Sequence, residues 1–246
     1  MKLESDHDNH GESLFRSWGI DSDARSLTEA LQAYLEHVDV RSKTTGEGMI
    51  QARWAHLGHA KTPRLPWTTI DREVAFGNQE ALLERADVDV GPARRAVLAI
   101  AKSRPPNWSE PRKTAGRLDQ LAVDGEGNLV LVEIKDAASN AGVFYAPLQL
   151  LKYVYVWNDA LRRLAVWQQL QALIDARHDV GLSPDFPKLT GGVRAAVCFG
   201  SFREKASAEV KRRFYEVLGV VNAHLPSGVL PIEAWEFEKD REPTWV

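Results

Sequence analysis

Residues 116 to 136, GRLDQLAVDGEGNLVLVEIKD, constrain the fold more than any other stretch of the chain. Two runs of strand-forming residues flank DGEGN, whose glycines and asparagine suit a tight turn. RLDQLAVD alternates in polarity, as a strand does. LVLVEIK is apolar enough to be covered on both faces. A glutamate and a lysine two positions apart in such a strand need a reason, because burying charge is costly unless something compensates. Setting Val123 opposite Leu129 across the turn puts Asp119 opposite Glu133 and Arg117 opposite Lys135. Directly opposed residues share a face, with Cβ atoms about 5 Å apart. Positions two apart on one strand also share a face. One face is therefore expected to carry Asp119, Glu133 and Lys135. The other would carry Leu118, Gln120, Ala122, Val130, Val132 and Ile134, suited to packing on a helix.

Two carboxylates that close repel each other, and a divalent cation between them turns the repulsion into binding. Mg²⁺ takes one or two carboxylates together with waters and substrate phosphates. Held there, it lowers the pKa of a bound water and neutralises charge on a phosphodiester. Lys135 then orients the water or steadies the phosphoryl oxygens. Glu-x-Lys alone also fits a partly exposed ion pair at a strand end, with Asp119 capping a turn. The separation of Asp119 from Glu133 across a hairpin favours the metal site.

The rest of the chain gives the setting. Its 246 residues make one large domain, or one domain with an extension. With 44% hydrophobic residues, it can build a core without disulfides or a structural metal. The single cysteine, Cys198 in VRAAVCFG, reads as a small buried hydrophobe, and a cytoplasmic location is expected. No apolar run approaches the roughly 20 residues that span a bilayer. The polar, acidic start MKLESDHDNHGES does not read as a signal peptide. A net charge of −3 gives no general pull on nucleic acid, so any such contact must rest on local patches.

Residues 1–13 read as disordered, 27–38 as a helix, and 40–68 as short helix and loop. Residues 69–86 read as a helix broken near Gly77, and 92–102 as a second helix starting at Pro92. The prolines of 103–116 make a loop. After the hairpin come a helix over 147–164, a strand over 193–200, a helix over 206–224 and a strand over 229–238. This order predicts an α/β or α+β fold with a mixed central sheet flanked by helices. Residues 1–64 form an N-terminal extension and 65–246 the main domain.

Asp119 on one strand, a turn, then Glu133-Ile134-Lys135 ending an apolar strand, then Gln149 and Tyr153 on a helix, resemble the PD-(D/E)xK nuclease superfamily, over about residues 73–160. The resemblance implies a restriction-endonuclease-like fold and a Mg²⁺- or Mn²⁺-dependent nuclease hydrolysing DNA phosphodiesters. It implies Asp119 and Glu133 as metal ligands, the Ile134 backbone carbonyl as a further ligand, and Lys135 as the catalytic lysine. A glutamate from the preceding helix often completes such a site: Glu80 first, then Glu73, then Glu84. Gly116-Arg117-Leu118-Asp119 stands where the family has Pro-Asp, a change many members tolerate. The first 60 residues carry no part of the resemblance.

Gln149 and Tyr153, four apart, share a helix face that would lie over the site, with Gln149 bonding Lys135 or a phosphate. Residues 101–117 carry Lys102, Arg104, Arg112, Lys113 and Arg117 against Glu110, a net of +4. Cations beside an acidic site are what phosphate contacts need. Arg112, Lys113, Arg117, Lys152 and Tyr153 are therefore candidate nucleic-acid contacts. Arg162, Arg163 and Lys211 to Arg213 add charge, the last run also fitting a solvated face. Trp108 reads as an anchor for the basic loop, and Trp157 and Trp167 as core. His7 with His10, and His56 with His59, lack further ligands for zinc. Gly125 and Gly127 read as turn residues, and no nucleophile elbow occurs. The rival to a nuclease is a non-catalytic domain of the same fold that binds nucleic acid or a partner protein. Duplex cutting often needs two sites, which suits a homodimer, though no residue marks one.

Overall fold

The computed structural model describes residues 50–51, 54, 65–75, 80–103, 117–137, 140–179, 188–237 and 243–246. The stretches expected to be a disordered start, a helix over 27–38 and a basic loop over 104–116 lie outside them.

The described residues form a mixed α/β structure built on one six-stranded sheet whose strands follow chain order. The strands are β1 (Trp67–Ala75), β2 (Arg117–Asp124), β3 (Leu129–Asp136), β4 (Val193–Gly200), β5 (Glu233–Phe237) and β6 (Thr244–Trp245). The helices are α1 (Glu80–Ser103), α2 (Asn140–Ala160), α3 (Leu164–Asp179), α4 (Phe202–Lys205) and α5 (Ala208–Asn222). Pairing is antiparallel for β1/β2, β2/β3 and β5/β6, and parallel for β3/β4 and β4/β5. The parallel pairs need crossovers, which α2 with α3 and α4 with α5 supply.

The period of two along each strand divides the core. Leu121, Val123, Leu129, Leu131, Val193, Ala195, Val197 and Phe199 meet α1, α2, α3 and α5 on one side. Ala122, Val130, Val132, Ile134, Ala196 and Cys198 pack on the other against Ile50, Trp54, Leu65 and Trp67. Ile50, Gln51 and Trp54, from the segment expected to be an extension, are thus built onto the sheet, with Trp54 fully buried. Helix α2 is buried almost all round, from Val143 to Val154, as expected of a helix held between a sheet and the neighbouring helices α1 and α5.

The turn between β2 and β3 fixes their register. Asp124 Oδ1 accepts the backbone N–H groups of Glu126 and Asn128, each at 2.9 Å, and Oδ2 accepts the Asn128 amide at 3.0 Å. Arg194 on β4 adds an ion pair at 2.8 Å. Burial raises the Asp124 pKa, but these donors outweigh it and hold the carboxyl below its ordinary value. Gly127 takes φ +81°, and a Cβ there would collide with the Lys188 carbonyl. Val123 is paired with Leu129, as read from the sequence, but the ladder ends at Gln120↔Val132, so the expected pairs Asp119 with Glu133 and Arg117 with Lys135 are not part of it.

Several expectations fail. Residues 67–75 are an edge strand rather than the start of a helix over 69–86, with a bulge between Thr69 and Asp71. Pairing with β2 outweighs the helical look of IDREVAF. The helix does not restart at Pro92: α1 runs through it, because Val90, Ala93, Val97 and Ala101 form one continuous buried stripe. Leu118 packs on the helix side, not with Ala122 and Val130. Helix α2 also begins earlier than residue 147, with Pro147 inside it, and α3 and β6 were not anticipated.

Candidate functional site

The sheet forks where the charges lie. Among the described residues the β2/β3 ladder runs from Val123↔Leu129 to Gln120↔Val132 and stops. Beyond that point β2 stays with β1, through Val74↔Leu118 and Ala75↔Arg117. β3 stays with β4, through Glu133↔Val197 to Asp136↔Gly200. Asp119 and Glu133 are the next residues on the two strands as they part.

Asp119 bridges the gap with its side chain. Its Oδ2 accepts the Ile134 backbone N–H at 2.6 Å, and its Oδ1 accepts the Gln51 side-chain amide at 3.0 Å. The alternation of β2 breaks around it. Leu118 joins the helix-side core, while Gln120 turns toward Gln51 and Thr69. Glu133 is fully buried on β3, and Lys135 Nζ lies 2.5 Å from its Oε1, with 13% of the lysine side chain exposed. The burial cost of the carboxylate is offset by a cation on the same face of the same strand.

Tyr153 closes the site from α2. Its hydroxyl donates to the Arg117 carbonyl at 2.5 Å. That proton is committed, so Gln149, which also bonds this hydroxyl, does so as donor. Burial first, then the charge of Glu133, with a smaller push from Asp119, holds the Tyr153 pKa well above its ordinary value, so the phenol stays protonated. Glu133, Asp119 and Lys135 thus all act on the Tyr153 hydroxyl.

The other candidates are dispersed. Tyr153 is 1% exposed, so its ring is not available for stacking on a base. Gln149 bonds Tyr153. Lys152 pairs with Asp87 of α1 at 2.8 Å, tying the two helices together. Arg117 is exposed at the mouth of the fork, and Lys102 is exposed at the end of α1. Arg212 and Arg213 pair with Glu209, and Lys211 donates to the Arg203 carbonyl, so this run is occupied within the molecule. Trp157 is core and Trp167 packs at its edge. Burial pushes the Cys198 thiol well above its ordinary pKa, which leaves it a buried hydrophobe. Arg104, Trp108, Arg112, Lys113 and the paired histidines lie outside the described residues.

Of the three acids considered for completing the site, Glu73 lies on β1 rather than on a helix. It sits between the pairs Arg72↔Gln120 and Val74↔Leu118, which sets its backbone opposite Asp119. Glu80 is the first residue of α1, and Glu84 is exposed one turn on. The side chains of Glu73 and Glu80 lie outside the described residues. Among the described residues, no three His, Cys, Asp or Glu side chains gather into a metal-binding group. The two carboxylates at the fork are nonetheless oxygen donors, the donor type that Mg²⁺ takes.

Sequence reasoning missed Gln51. It lies 68 positions from Asp119 in a segment without a motif, and no local pattern signals the contact.

Comparison with protein-family models, with curated proteins and with solved structures finds no match to this chain. The site is read from its own chemistry.

Proposed function

We propose that the protein is a Mg²⁺- or Mn²⁺-dependent nuclease of restriction-endonuclease-like fold, cleaving DNA phosphodiesters at the fork between β2 and β3 in the cytoplasm. The observation that carries this reading is a fully buried glutamate with a lysine at 2.5 Å, on a strand that parts from its neighbour at an aspartate. A strand pair that needed only stability would continue its ladder with apolar residues. This one opens and places charge in the opening.

In this reading Asp119 and Glu133 hold the cation, with the Ile134 carbonyl as a third oxygen. When bound, the ion neutralises charge on the phosphodiester and lowers the pKa of a water at the site. Lys135 would contact a phosphoryl oxygen or orient that water. Arg117, with Arg112 and Lys113, holds the phosphate backbone at the mouth. Duplex cutting would take two such sites, which a homodimer supplies.

The complete burial of Glu133 favours a second reading. In it the Glu133–Lys135 pair is purely structural, and the domain binds nucleic acid or a partner protein without cutting. A cleavage assay separates the two. Wild-type protein is incubated with Mg²⁺ or Mn²⁺ and single-stranded, duplex and branched DNA, and with RNA, beside Lys135→Ala. The nuclease reading expects cleavage of DNA that falls by about 10²–10⁴-fold in the variant, with DNA binding retained. Absence of cleavage by wild type on every substrate, or equal cleavage by the variant, overturns it.

A further inference from the structure

On the reading of the fork as a divalent-cation site, we propose that Gln51 is its positioning residue, setting the Asp119 carboxylate from outside the hairpin. Asp119 is held from two sides. The Ile134 N–H takes Oδ2 from the β3 backbone, and the Gln51 amide takes Oδ1 from a segment lying on the other face of the sheet. Two donors on two oxygens fix both the rotamer and the plane of the carboxylate.

Gln51 is itself held in place. Its backbone carbonyl accepts the Gln120 side-chain amide at 3.0 Å, and Gln120 Oε1 accepts the Thr69 hydroxyl at 3.2 Å. Its neighbours Ile50 and Trp54 are 4% and 0% exposed, so they anchor the segment against the sheet. The ordering of Gln51 is thus completed on folding, before any ligand arrives. The chemistry suits the task. A carboxylate can face only the NH₂ end of the amide, which fixes its orientation. A neutral donor orients Asp119 without cancelling the negative charge that attracts the metal, whereas a lysine or arginine there would compete with the ion.

Hydrogen bonds to ligating carboxylates are worth about 10–100-fold in metal affinity. Calorimetric titration of the full chain with Mn²⁺ tests the role, comparing wild type with Gln51→Met, Asp119→Asn and Tyr155→Phe. Tyr155→Phe removes a comparable hydrogen bond, from its hydroxyl to the His224 carbonyl, away from the fork. Gln51→Met is expected to raise the Mn²⁺ dissociation constant about tenfold or more, with a shift in Tm no larger than that of Tyr155→Phe, which keeps wild-type affinity. Wild-type affinity in Gln51→Met overturns the role of Gln51 and leaves the site standing. Absence of Mn²⁺ binding by wild type, or equal binding by Asp119→Asn, overturns the site itself and the role with it. Should Gln51→Met fail to fold, Gln51→Ala is read by the same criteria.

Discussion

Lys135 has two jobs in this account, and they separate by the presence of metal. Its ammonium offsets a fully buried carboxylate. Lys135→Ala removes a charge-assisted contact worth about 2–3 kcal/mol, or roughly 4–12 °C in Tm for a chain of this size. On the proposed reading, Mg²⁺ at the fork would offset part of that loss. Thermal melts in EDTA and in Mg²⁺ check this: a smaller gap in Mg²⁺ is expected, and an equal gap contradicts it. Asp124 gives a pH prediction. Its folded pKa is depressed, so it stabilises the fold above the unfolded value near about 3.9 and loses that contribution as pH falls through the lower folded value. Asp124→Asn should cost about 2 kcal/mol at pH 7, and its gap from wild type should close below about pH 4 in denaturant titrations. Asp119, Glu133 and Lys135 were legible in the sequence because one hairpin carries all three. Tyr153 was legible only by half. Its spacing from Gln149 gave a shared helix face, but burial turns that face inward, onto the Arg117 carbonyl.

Among the elements, α2 anchors one side of the fork. The Tyr153 hydroxyl holds the first residue of β2 by its carbonyl, just where β2 leaves β3. Tyr153→Phe should cost about 1 kcal/mol and speed hydrogen exchange at residues 117–119, with Leu129 to Val132 unchanged. A uniform rise over the whole hairpin would contradict that local role. The hairpin itself was readable, since turn chemistry and alternation agree over neighbouring residues. β1 was not, because Asp71, Arg72 and Glu73 interrupt its apolar residues and a bulge breaks its period. Pro92 misled in the other direction. A proline usually opens or ends a helix, but the buried stripe through Ala93 and Val97 outweighs the one hydrogen bond it removes.

For the whole molecule, the sheet has two covered faces, and the one opposite α1, α2, α3 and α5 depends on residues before 65, where 50, 51 and 54 are helical. Ile50 and Trp54 cover Ala122, Val130, Val132 and Ile134, the strand residues directly behind the site. Trp54→Ala should cost about 3–5 kcal/mol, and removal of residues 1–64 should expose this face and abolish cooperative unfolding. Cooperative melting of the truncated chain at the wild-type temperature would contradict it. Among the described residues no helix is long and apolar enough to cross a membrane. The dependence on distant segments is why the fork was only partly visible in the sequence: its strands are local, and its supports come from residue 51 and residue 153. The most direct measurement is anomalous diffraction from crystals of the whole chain soaked in Mn²⁺. One peak at about 2.1 Å from carboxylate oxygens of both Asp119 and Glu133 is the expected result. A map with no peak there, and Lys135 still seated on Glu133, would contradict the account.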